Sequence, residues 1–235
     1  MKQLLKNLFT KYQIPHTKEM LDKLQIFYEF VIEENKKFNL TAITEKNDFA
    51  TKHLLDCCLP YSLIPNNASV IDVGAGAGFP SIPLKIIRPD INLVMLDSLN
   101  KRVNFLNQCI SLLKLEKAVA VHSRAEDYAL KNREKFDVAI ARAVASLETL
   151  SEYCIPFVKV GGNFIALKGS SYKEELERAE FAIETLGGKL KHIQKINVQE
   201  IESERANILI EKVKTTLSKY PRGKNLPRLK PLIKC

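Results

Sequence analysis

The segment from Ile71 to Pro80 constrains the fold of this chain more than any other part of the sequence. A short apolar strand runs directly into a turn that carries glycines at positions 74, 76 and 78. Because glycine has no Cβ atom, the backbone of such a turn can approach a ligand closely, and the next helix can dock tightly on the strand. This order is typical of α/β domains that bind nucleotides, although ordinary turns can imitate the glycine spacing.

The chain after Pro65 alternates between short apolar runs and helical patterns. The predicted strands are residues 68–73, 92–96, 118–122, 137–141 and 163–167. Alternation at this period indicates βαβ units and therefore a parallel sheet. Residues 189–198 and 207–213 are separated by a short charged turn and predict a final antiparallel hairpin. We therefore predict an α/β fold with a Rossmann-type sheet, mostly parallel, that ends in an antiparallel hairpin.

Helices are predicted before the first strand and between the strands. Thr17 can cap a helix whose apolar side chains recur at spacings of three and four, and Thr44 can cap a second helix that stops near Pro60. Ser171 and Glu174 form a capping-box pattern for a later helix, which ends at residues 187–188. We divide the chain into an N-terminal helical extension (1–66), a Rossmann-type domain (67–213) and a basic C-terminal tail (214–235).

The residues that follow the glycine turn favour one kind of cofactor. A dinucleotide fingerprint reads Gly-x-Gly-x-x-Gly, whereas here the third glycine, Gly78, comes one residue early and Phe79 and Pro80 follow it. Proline removes an amide donor at the start of the next helix, and a cofactor without phosphate groups needs that donor less. With the terminal hairpin, the pattern indicates a methyltransferase that uses S-adenosylmethionine, bound at Gly74, Gly76, Gly78 and Phe79.

Acidic residues follow the second and third predicted strands. Asp97 lies where a carboxylate can accept both hydroxyl groups of a ribose, as in enzymes that bind a nucleoside. Ala125 and Glu126 follow the third strand and are candidates to meet the adenine amino group. The alternative is that Asp97 and Glu126 only begin helices, where acidic side chains interact favourably with the helix dipole.

Two cations follow later strands and are candidates to position the substrate. Arg142 comes directly after the fourth predicted strand, between small residues, at the edge where ligands bind. Lys168 follows the fifth strand, and either cation can position a base or a flanking phosphate. His53 and Asp56 lie one helical turn apart and either line the same pocket or form a polar pair on a helix surface.

The charge of the chain is concentrated at its C-terminal end. Of the formal net charge of +9, eight basic side chains and no acidic ones lie after Glu211. A basic tail of this kind is typical of a protein that binds a polyanion such as nucleic acid, although it can also serve only for solubility. The apolar side chains of Leu226, Leu229, Leu232 and Ile233 leave open that the tail folds back on the core.

Taken together, several segments resemble the bacterial glucose-inhibited division protein B family of small-subunit ribosomal RNA guanine-N7 methyltransferases. They are residues 39–43 (NLTAI), 52–56 (KHLLD), 72–80 (DVGAGAGFP), 124–126 (RAE), 141–145 (ARAVA) and 220–222 (YPR). They span nearly the whole chain, and their combination is specific where no single one is. One departure is Asn225, at a position where the family usually has glycine.

The resemblance implies a reaction, a cofactor and a set of contacts. The substrate would be one guanine in the decoding region of 16S ribosomal RNA, free or in the small subunit. The family's contacts with S-adenosylmethionine carry over onto Gly74, Phe79, Ala125, Glu126 and Arg142, with Asp97 at the ribose position. Guanine N7 has a lone pair and no proton, so methyl transfer needs no general base and depends on positioning.

The remaining features concern compartment and metals. The scattered cysteines (57, 58, 109, 154 and 235) and the four separated histidines predict buried thiols and no metal site. The N-terminus lacks the pattern of a signal peptide, and no apolar run is long enough to cross a membrane. We expect a cytoplasmic monomer.

Three other functions are compatible with parts of this sequence. A methyltransferase for small molecules would share the cofactor residues but leave the basic tail unused. A nicotinamide oxidoreductase conflicts with the early third glycine and the terminal hairpin. A non-catalytic RNA-binding protein with the same fold would not need the intact glycines, Asp97 and Glu126.

Overall fold

A single sheet lies at the centre of the computed structural model, which describes residues 1–142 and 145–234. Its seven strands in the described chain are β1 Ser69–Val73, β2 Asn92–Asp97, β3 Ala118–His122, β4 Phe136–Arg142, β5 Val158–Lys168, β6 Gly188–Ile196 and β7 Arg205–Lys212. They lie in the order β3-β2-β1-β4-β5-β7-β6. The first five strands pair in parallel, and β7 pairs antiparallel with β5 and β6. The predicted sheet and hairpin are confirmed.

The helices that surround this sheet are α1 Lys2–Lys11, α2 Lys18–Asn35, α3 Lys46–Asp48, α4 Asp56–Cys58, α5 Ser81–Ile87, α6 Asn100–Leu112, α7 Ala125–Asn132, α8 Leu147–Cys154, α9 Tyr172–Thr185 and α10 Leu226–Leu229. A π-helical turn, Phe49–Leu55, joins α3 to α4, and 3-10 turns occupy Leu59–Leu63 and Ile155–Phe157.

Both faces of the sheet are covered by helices. Successive residues of a strand point to opposite faces, so neighbouring residues belong to different cores. Val70 of β1 and Val138 of β4 belong to one core, which they share with the N-terminal helices and α5. Ile71 and Ala139, one position later, belong to the other core, beneath α8 and α9. The central strands are therefore apolar throughout, as the short apolar runs predict.

The cap predicted for the first long helix is confirmed. Thr17 precedes α2, and its hydroxyl accepts a hydrogen bond from the amide of Met20 at 3.2 Å. The predicted stripe supplies the buried side chains Leu21, Leu24, Phe27 and Val31. A cap of this kind contributes about 1 kcal/mol to stability.

The prediction for the next helix is wrong at its start. Glu45, not Thr44, is the cap, because its carboxylate accepts hydrogen bonds from the amides of Asn47 and Asp48. The α-helical part ends at Cys58, close to the predicted stop near Pro60. The chain continues as the 3-10 turn Leu59–Leu63, in which Pro60 occupies an early position where no amide hydrogen is needed.

The predicted capping box of α9 is also wrong, although the helix itself is confirmed. Ser171 stands at the cap position, but its side chain makes no capping hydrogen bond. The left-handed backbone of Gly187, with φ of +91°, ends the helix as predicted. Gly188 then begins β6.

The cysteines within the described chain, Cys57, Cys58, Cys109 and Cys154, are buried and free, as predicted for structural thiols. Cys235, and residues 143–144 of the 141–145 segment, lie outside the described residues. No helix in the described chain combines the length and hydropathy that crossing a membrane requires.

Candidate active site

The glycine turn lies where the sheet order reverses between β1 and β4, at the carboxyl edge of the strands. Gly74, Gly76 and Gly78 all have positive φ angles, of 81°, 56° and 85°. A Cβ atom on Gly78 would lie 2.8 Å from Cγ1 of Ile82 and closer still to its Cδ1 atom, so that the Ile82 side chain of helix α5 would have to shift. The turn therefore requires glycine for its backbone and for its packing.

Three cavities follow one another along this edge. The glycine-turn cavity, of about 370 Å³, is lined by Leu40, Thr41, His53, Gly74, Ala75, Gly76, Ala77, Phe79, Asp97, Ser98, Arg102 and Arg142. The Glu126 cavity, of about 170 Å³, shares Gly74, Asp97 and Ser98 with it and adds Val73, Leu96, Ser123, Arg124, Ala125, Glu126, Ala145, Tyr153, Asn225 and Arg228. Of the predicted cofactor residues, Gly78 alone lines neither cavity.

Asp97 stands at the junction of these two cavities. Its Oδ2 atom accepts a hydrogen bond from the amide of Gly76, and its Oδ1 atom accepts one from the amide of Leu99, both at 2.9 Å. The carboxylate is 3% exposed, and a guanidinium nitrogen of Arg102 lies 3.5 Å away. The side chain thus fixes both the glycine turn and the start of α6 while it lines the cavities, so the two alternatives for Asp97 are compatible.

Glu126 and Ala125 open α7 on the wall of the Glu126 cavity. The Glu126 carboxylate is buried, and its Oε1 atom lies 3.3 Å from the amide nitrogen of Asn225, in the C-terminal tail. Asp97 and Glu126 therefore present two carboxylates to one small cavity. That arrangement suits a ligand with several hydroxyl and amino donors.

Arg142 ends β4 and lines the glycine-turn cavity. Its guanidinium donates to the backbone carbonyl of Lys52 and to Oδ2 of Asp56, both at 3.1 Å, and contacts Nδ1 of His53 at 2.8 Å. It also lies over the ring of Phe79, 5.1 Å from the ring centroid. The predicted pair His53 and Asp56 is therefore part of the site and is not a surface pair.

His53 links Arg142 to the loop that follows α2. Burial, and to a lesser degree the charge of Arg142, lower the pKa of His53 to about 3, so the ring is neutral at pH 7. Because Nδ1 accepts from Arg142, the proton is on Nε2, which donates to the hydroxyl oxygen of Thr41 at 2.7 Å. The ring also stacks on Phe79, with centroids 4.3 Å apart.

Asp56 is the buried acceptor shared by two arginines. Arg142 lies 3.1 Å from its Oδ2 atom, and Arg205, the first residue of β7, lies 3.5 Å from the same atom. Burial raises the pKa of Asp56, and the two guanidinium groups oppose that shift. Sequence reasoning missed Thr41 and Arg205. The 39–43 segment was a signal for Thr41, but no local pattern marks Arg205.

The third cavity, the Lys168 cavity, has a volume of about 660 Å³ and opens beside the glycine-turn cavity, with which it shares His53 and Arg142. Its other lining residues are Ile43, Lys52, Asp56, Ala145, Ser146, Leu167, Lys168, Gly169, Ser171, Glu175, Arg178, Arg205 and Asn207. Lysine and arginine side chains outnumber the acidic ones in this lining, so the cavity suits an anionic substrate.

Lys168 itself is tied to the protein. Its ammonium group donates to the backbone carbonyl of Ala145 at 2.8 Å and to Glu175 at 2.7 Å. The same Glu175 oxygen accepts the amide of Leu147 at 2.8 Å. Lys168 is therefore bound to Ala145 and, through Glu175, to the start of α8, and its predicted role in holding the substrate stays a prediction. No cluster of three metal-binding side chains is present among the residues that the structure describes.

The fold and this site define a class of protein. The structure of M. jannaschii TYW2 in complex with AdoMet matches with a TM-score of 0.55 at 18% identity, covering 72% of this chain and 77% of that one. YcgJ from Bacillus subtilis matches with a TM-score of 0.51 at 13% identity, covering 70% and 100%. At these identities the likeness concerns the fold alone, which is a Rossmann-type α/β fold.

The particular family follows from the sequence. The family model described as rRNA small subunit methyltransferase G (GidB) matches residues 20–205. The ribosomal RNA small subunit methyltransferase G of Desulforamulus reducens is 50% identical over 210 residues, which cover 88% of each chain. That of Clostridium botulinum strain Loch Maree is also 50% identical, over 88% of this chain and 89% of its own. The chain belongs to the rRNA small subunit methyltransferase G family, which confirms the resemblance.

Proposed function

We propose that this chain methylates the N7 atom of a guanine in 16S ribosomal RNA, with S-adenosylmethionine as the methyl donor. The observation that carries the proposal is the order of the cavities along the sheet edge. Two small cavities lined by the glycine turn and two carboxylates open beside a larger cationic cavity, and Arg142 stands where they meet. A cofactor and an anionic substrate can thus be bound side by side.

The residues present fit an adenosine-containing cofactor. Asp97 can accept the ribose hydroxyls, since it lines both smaller cavities, and Glu126 can accept the adenine amino group beside Ala125. Gly74 and Gly76, with Phe79 behind them, leave the turn open to the methionine portion. When bound, S-adenosylmethionine would supply the methyl group of its sulfonium to guanine N7, and S-adenosylhomocysteine would leave with the electron pair of the broken carbon–sulfur bond.

The protein contributes positioning to this reaction. Guanine N7 carries no proton, so a residue that removes one is not required, and His53, which is neutral at pH 7 and bonded at both ring nitrogens, is positioned to orient Arg142. Holding two reactants in place can supply up to roughly 7–11 kcal/mol in ideal cases. Arg142 and Lys168 border the Lys168 cavity and are our candidates for positioning the base or a flanking phosphate.

The RNA would enter from the Lys168 cavity. Lys52, Arg178 and Arg205 add cationic groups to its lining, and contacts of such groups with phosphate weaken as salt rises. The target guanine must lie in a loop or be flipped out, because a stacked base could not reach the cofactor. We expect the chain to act in the cytoplasm, as a monomer, on the small-subunit RNA, free or assembled.

The experiment that tests this function is mass mapping of methylated guanines in ribosomal RNA from cells with and without the gene. We expect one 7-methylguanine of 16S RNA to disappear in the deletion and to return with the wild-type gene. A gene that encodes the Arg142→Lys variant should restore this 7-methylguanine poorly. Lysine keeps the charge but cannot contact His53, Asp56 and the Lys52 carbonyl together. An unchanged 16S map would contradict the proposal.

A further inference from the structure

The C-terminal tail is folded onto the Rossmann-type domain, and helix α8 holds it there. Arg222 forms a two-pronged ion pair with Glu152, whose side chain is 1% exposed, with nitrogen–oxygen distances of 2.9 and 2.7 Å. The hydroxyl of Thr149 donates to the carbonyl of Pro227 at 3.1 Å. The tail therefore has a defined path over α8, which carries it to the edge of the sheet.

That path ends on the cofactor side of the molecule. Asn225 and Arg228 complete the lining of the Glu126 cavity, to which Gly74 and Asp97 also belong. The amide nitrogen of Asn225 lies 3.3 Å from the carboxylate of Glu126. The wall of this cavity is therefore built partly by strand ends and partly by residues more than a hundred positions away from the glycine turn.

The side chain of Asn225 is held by its neighbours. Tyr153 of α8 donates its hydroxyl hydrogen to Oδ1 of Asn225 at 3.2 Å, and burial, with Glu126 and Glu152 nearby, raises the pKa of Tyr153 to about 12, so this donor keeps its proton. The Nδ2 group is then the remaining donor of the Asn225 side chain. The purine ring of adenine offers acceptor nitrogens that match such a donor.

The backbone at this point is left-handed. Lys224 and Asn225 have φ angles of +57° and +58°. Asparagine tolerates this conformation better than most residues, whereas a β-branched residue does not. Asn225 can therefore serve both the turn and the cavity, where a glycine would serve the turn alone.

We infer that residues 223–229, the closing segment, form part of the cofactor site, and that Asn225 and Arg228 bind the adenosine portion of S-adenosylmethionine. The inference rests on the proposed function, because it takes the cofactor from there. It also reassigns part of the basic tail from RNA binding to cofactor binding. Because the bound cofactor would contact the closing segment, cofactor binding and docking of the segment stabilise each other.

The test measures binding of S-adenosylhomocysteine by calorimetry to the full-length protein and three variants. Asn225→Val disfavours the left-handed turn and should weaken binding at least tenfold. Asn225→Gly keeps the turn and should weaken it by less than Asn225→Val. Lys114→Val places valine at another residue with a left-handed backbone, with φ of +49°, which is exposed and lies away from the cavity, and this variant should bind like the wild type. Wild-type affinity in Asn225→Val overturns the inference.

A second measurement needs no variant and covers the case in which Asn225→Val does not fold. Limited trypsin digestion of the wild type, followed by mass spectrometry, should show slower cleavage after Lys224 and Arg228 when S-adenosylhomocysteine is present, relative to cleavage after Lys114. Equal protection at all three sites overturns the inference. A wild-type protein that binds no S-adenosylhomocysteine would instead overturn the proposed function, so the two failures are distinguishable.

Discussion

Single side chains in this site make several contacts at once, and Asp97 shows this most clearly. Its two carboxylate oxygens hold the amides of Gly76 and Leu99 while the side chain lines both smaller cavities. One carboxylate therefore both fixes the glycine turn and lines the candidate cofactor cavities. A substitution at such a residue must be compared with one that removes a similar carboxylate elsewhere.

Asp97→Ala should weaken binding of S-adenosylhomocysteine at least tenfold, because an acceptor for the ribose and the anchor of the glycine turn are lost together. Asp90→Ala is the matched control, since Asp90 also accepts a backbone amide and pairs with an arginine, Arg88, but lines none of the three cavities. Isothermal calorimetry gives both affinities. Equal affinities in the two variants would disprove the ribose assignment.

His53 should make the folded state sensitive to acid. Its pKa is lowered from 6.5 to about 3 on folding, so between these values the unfolded chain binds more protons and stability falls as pH falls. Each pKa unit corresponds to about 1.4 kcal/mol. Protonation of His53 in the unfolded chain should therefore lower the free energy of unfolding by about 2 kcal/mol between pH 6.5 and pH 5. Urea unfolding at both pH values should show a smaller loss of unfolding free energy for His53→Gln than for the wild type. Equal losses in the two proteins would show that His53 is not held neutral by burial.

At the scale of elements, the helical run from Lys46 to Leu63 sets the geometry of the site. Its middle part, Phe49–Leu55, is π-helical, a conformation often found at functional sites. It presents His53, and Asp56 at the start of α4, to the end of β4, where both contact Arg142. This helical run thus forms one wall of the site, so the structure decides between the two alternatives for His53 and Asp56.

The turn between β1 and α5 is the other element on which the site depends. Gly78→Ala should destabilise the protein by roughly 1–3 kcal/mol, because the residue has a φ of +85° and its new methyl group would overlap Ile82. Gly169→Ala is the matched control, since a Cβ atom there meets nothing within 4 Å. Urea unfolding should separate the two variants, and equal stability would show that the turn adapts.

At the scale of the whole molecule, the N-terminal helices share a core with the sheet. Phe27 of α2 packs edge-on against Phe79 after the glycine turn, with centroids 5.5 Å apart, and Phe30 stacks on Phe105 of α6 at 5.3 Å. The same cluster extends from Met1 to Leu209. We therefore expect the predicted extension, residues 1–66, to fold together with the Rossmann-type domain, residues 67–213.

Hydrogen exchange in increasing urea tests this expectation. Peptides from α2 and from β4 should lose protection at the same urea concentration, because unfolding α2 would expose the apolar face of the sheet. Loss of protection in α2 at a clearly lower concentration would favour an independently folding extension. Peptides from the C-terminal tail report in the same experiment whether it unfolds with α8.

Much of the fold was predictable because strands and helices leave local patterns. The apolar runs in β1 to β5 and the spacing in α2 repeat at the periods of strand and helix, and each was located to within a few residues except the start of β5, which lies at Val158, five residues before the predicted start. The capping bonds of α3 and α9 were not predictable in this way, because Glu45 caps α3 although Thr44 is the more usual cap residue, and Ser171 stands at the cap of α9 without a capping hydrogen bond. Which side chain accepts the hydrogen bonds from the first backbone amides of a helix depends on the exact path of the preceding loop.

For the site, the sequence by itself determined the residues at strand ends: the glycine turn, Asp97, Glu126 and Arg142. In a parallel sheet the carboxyl ends of the strands meet at one edge, so order along the chain predicts that these residues come together. Only the tertiary structure decided the partners that arrive from other elements, namely Thr41, Arg205 and Asn225. Their contacts depend on how loops and the tail pack against the sheet, which no local period encodes.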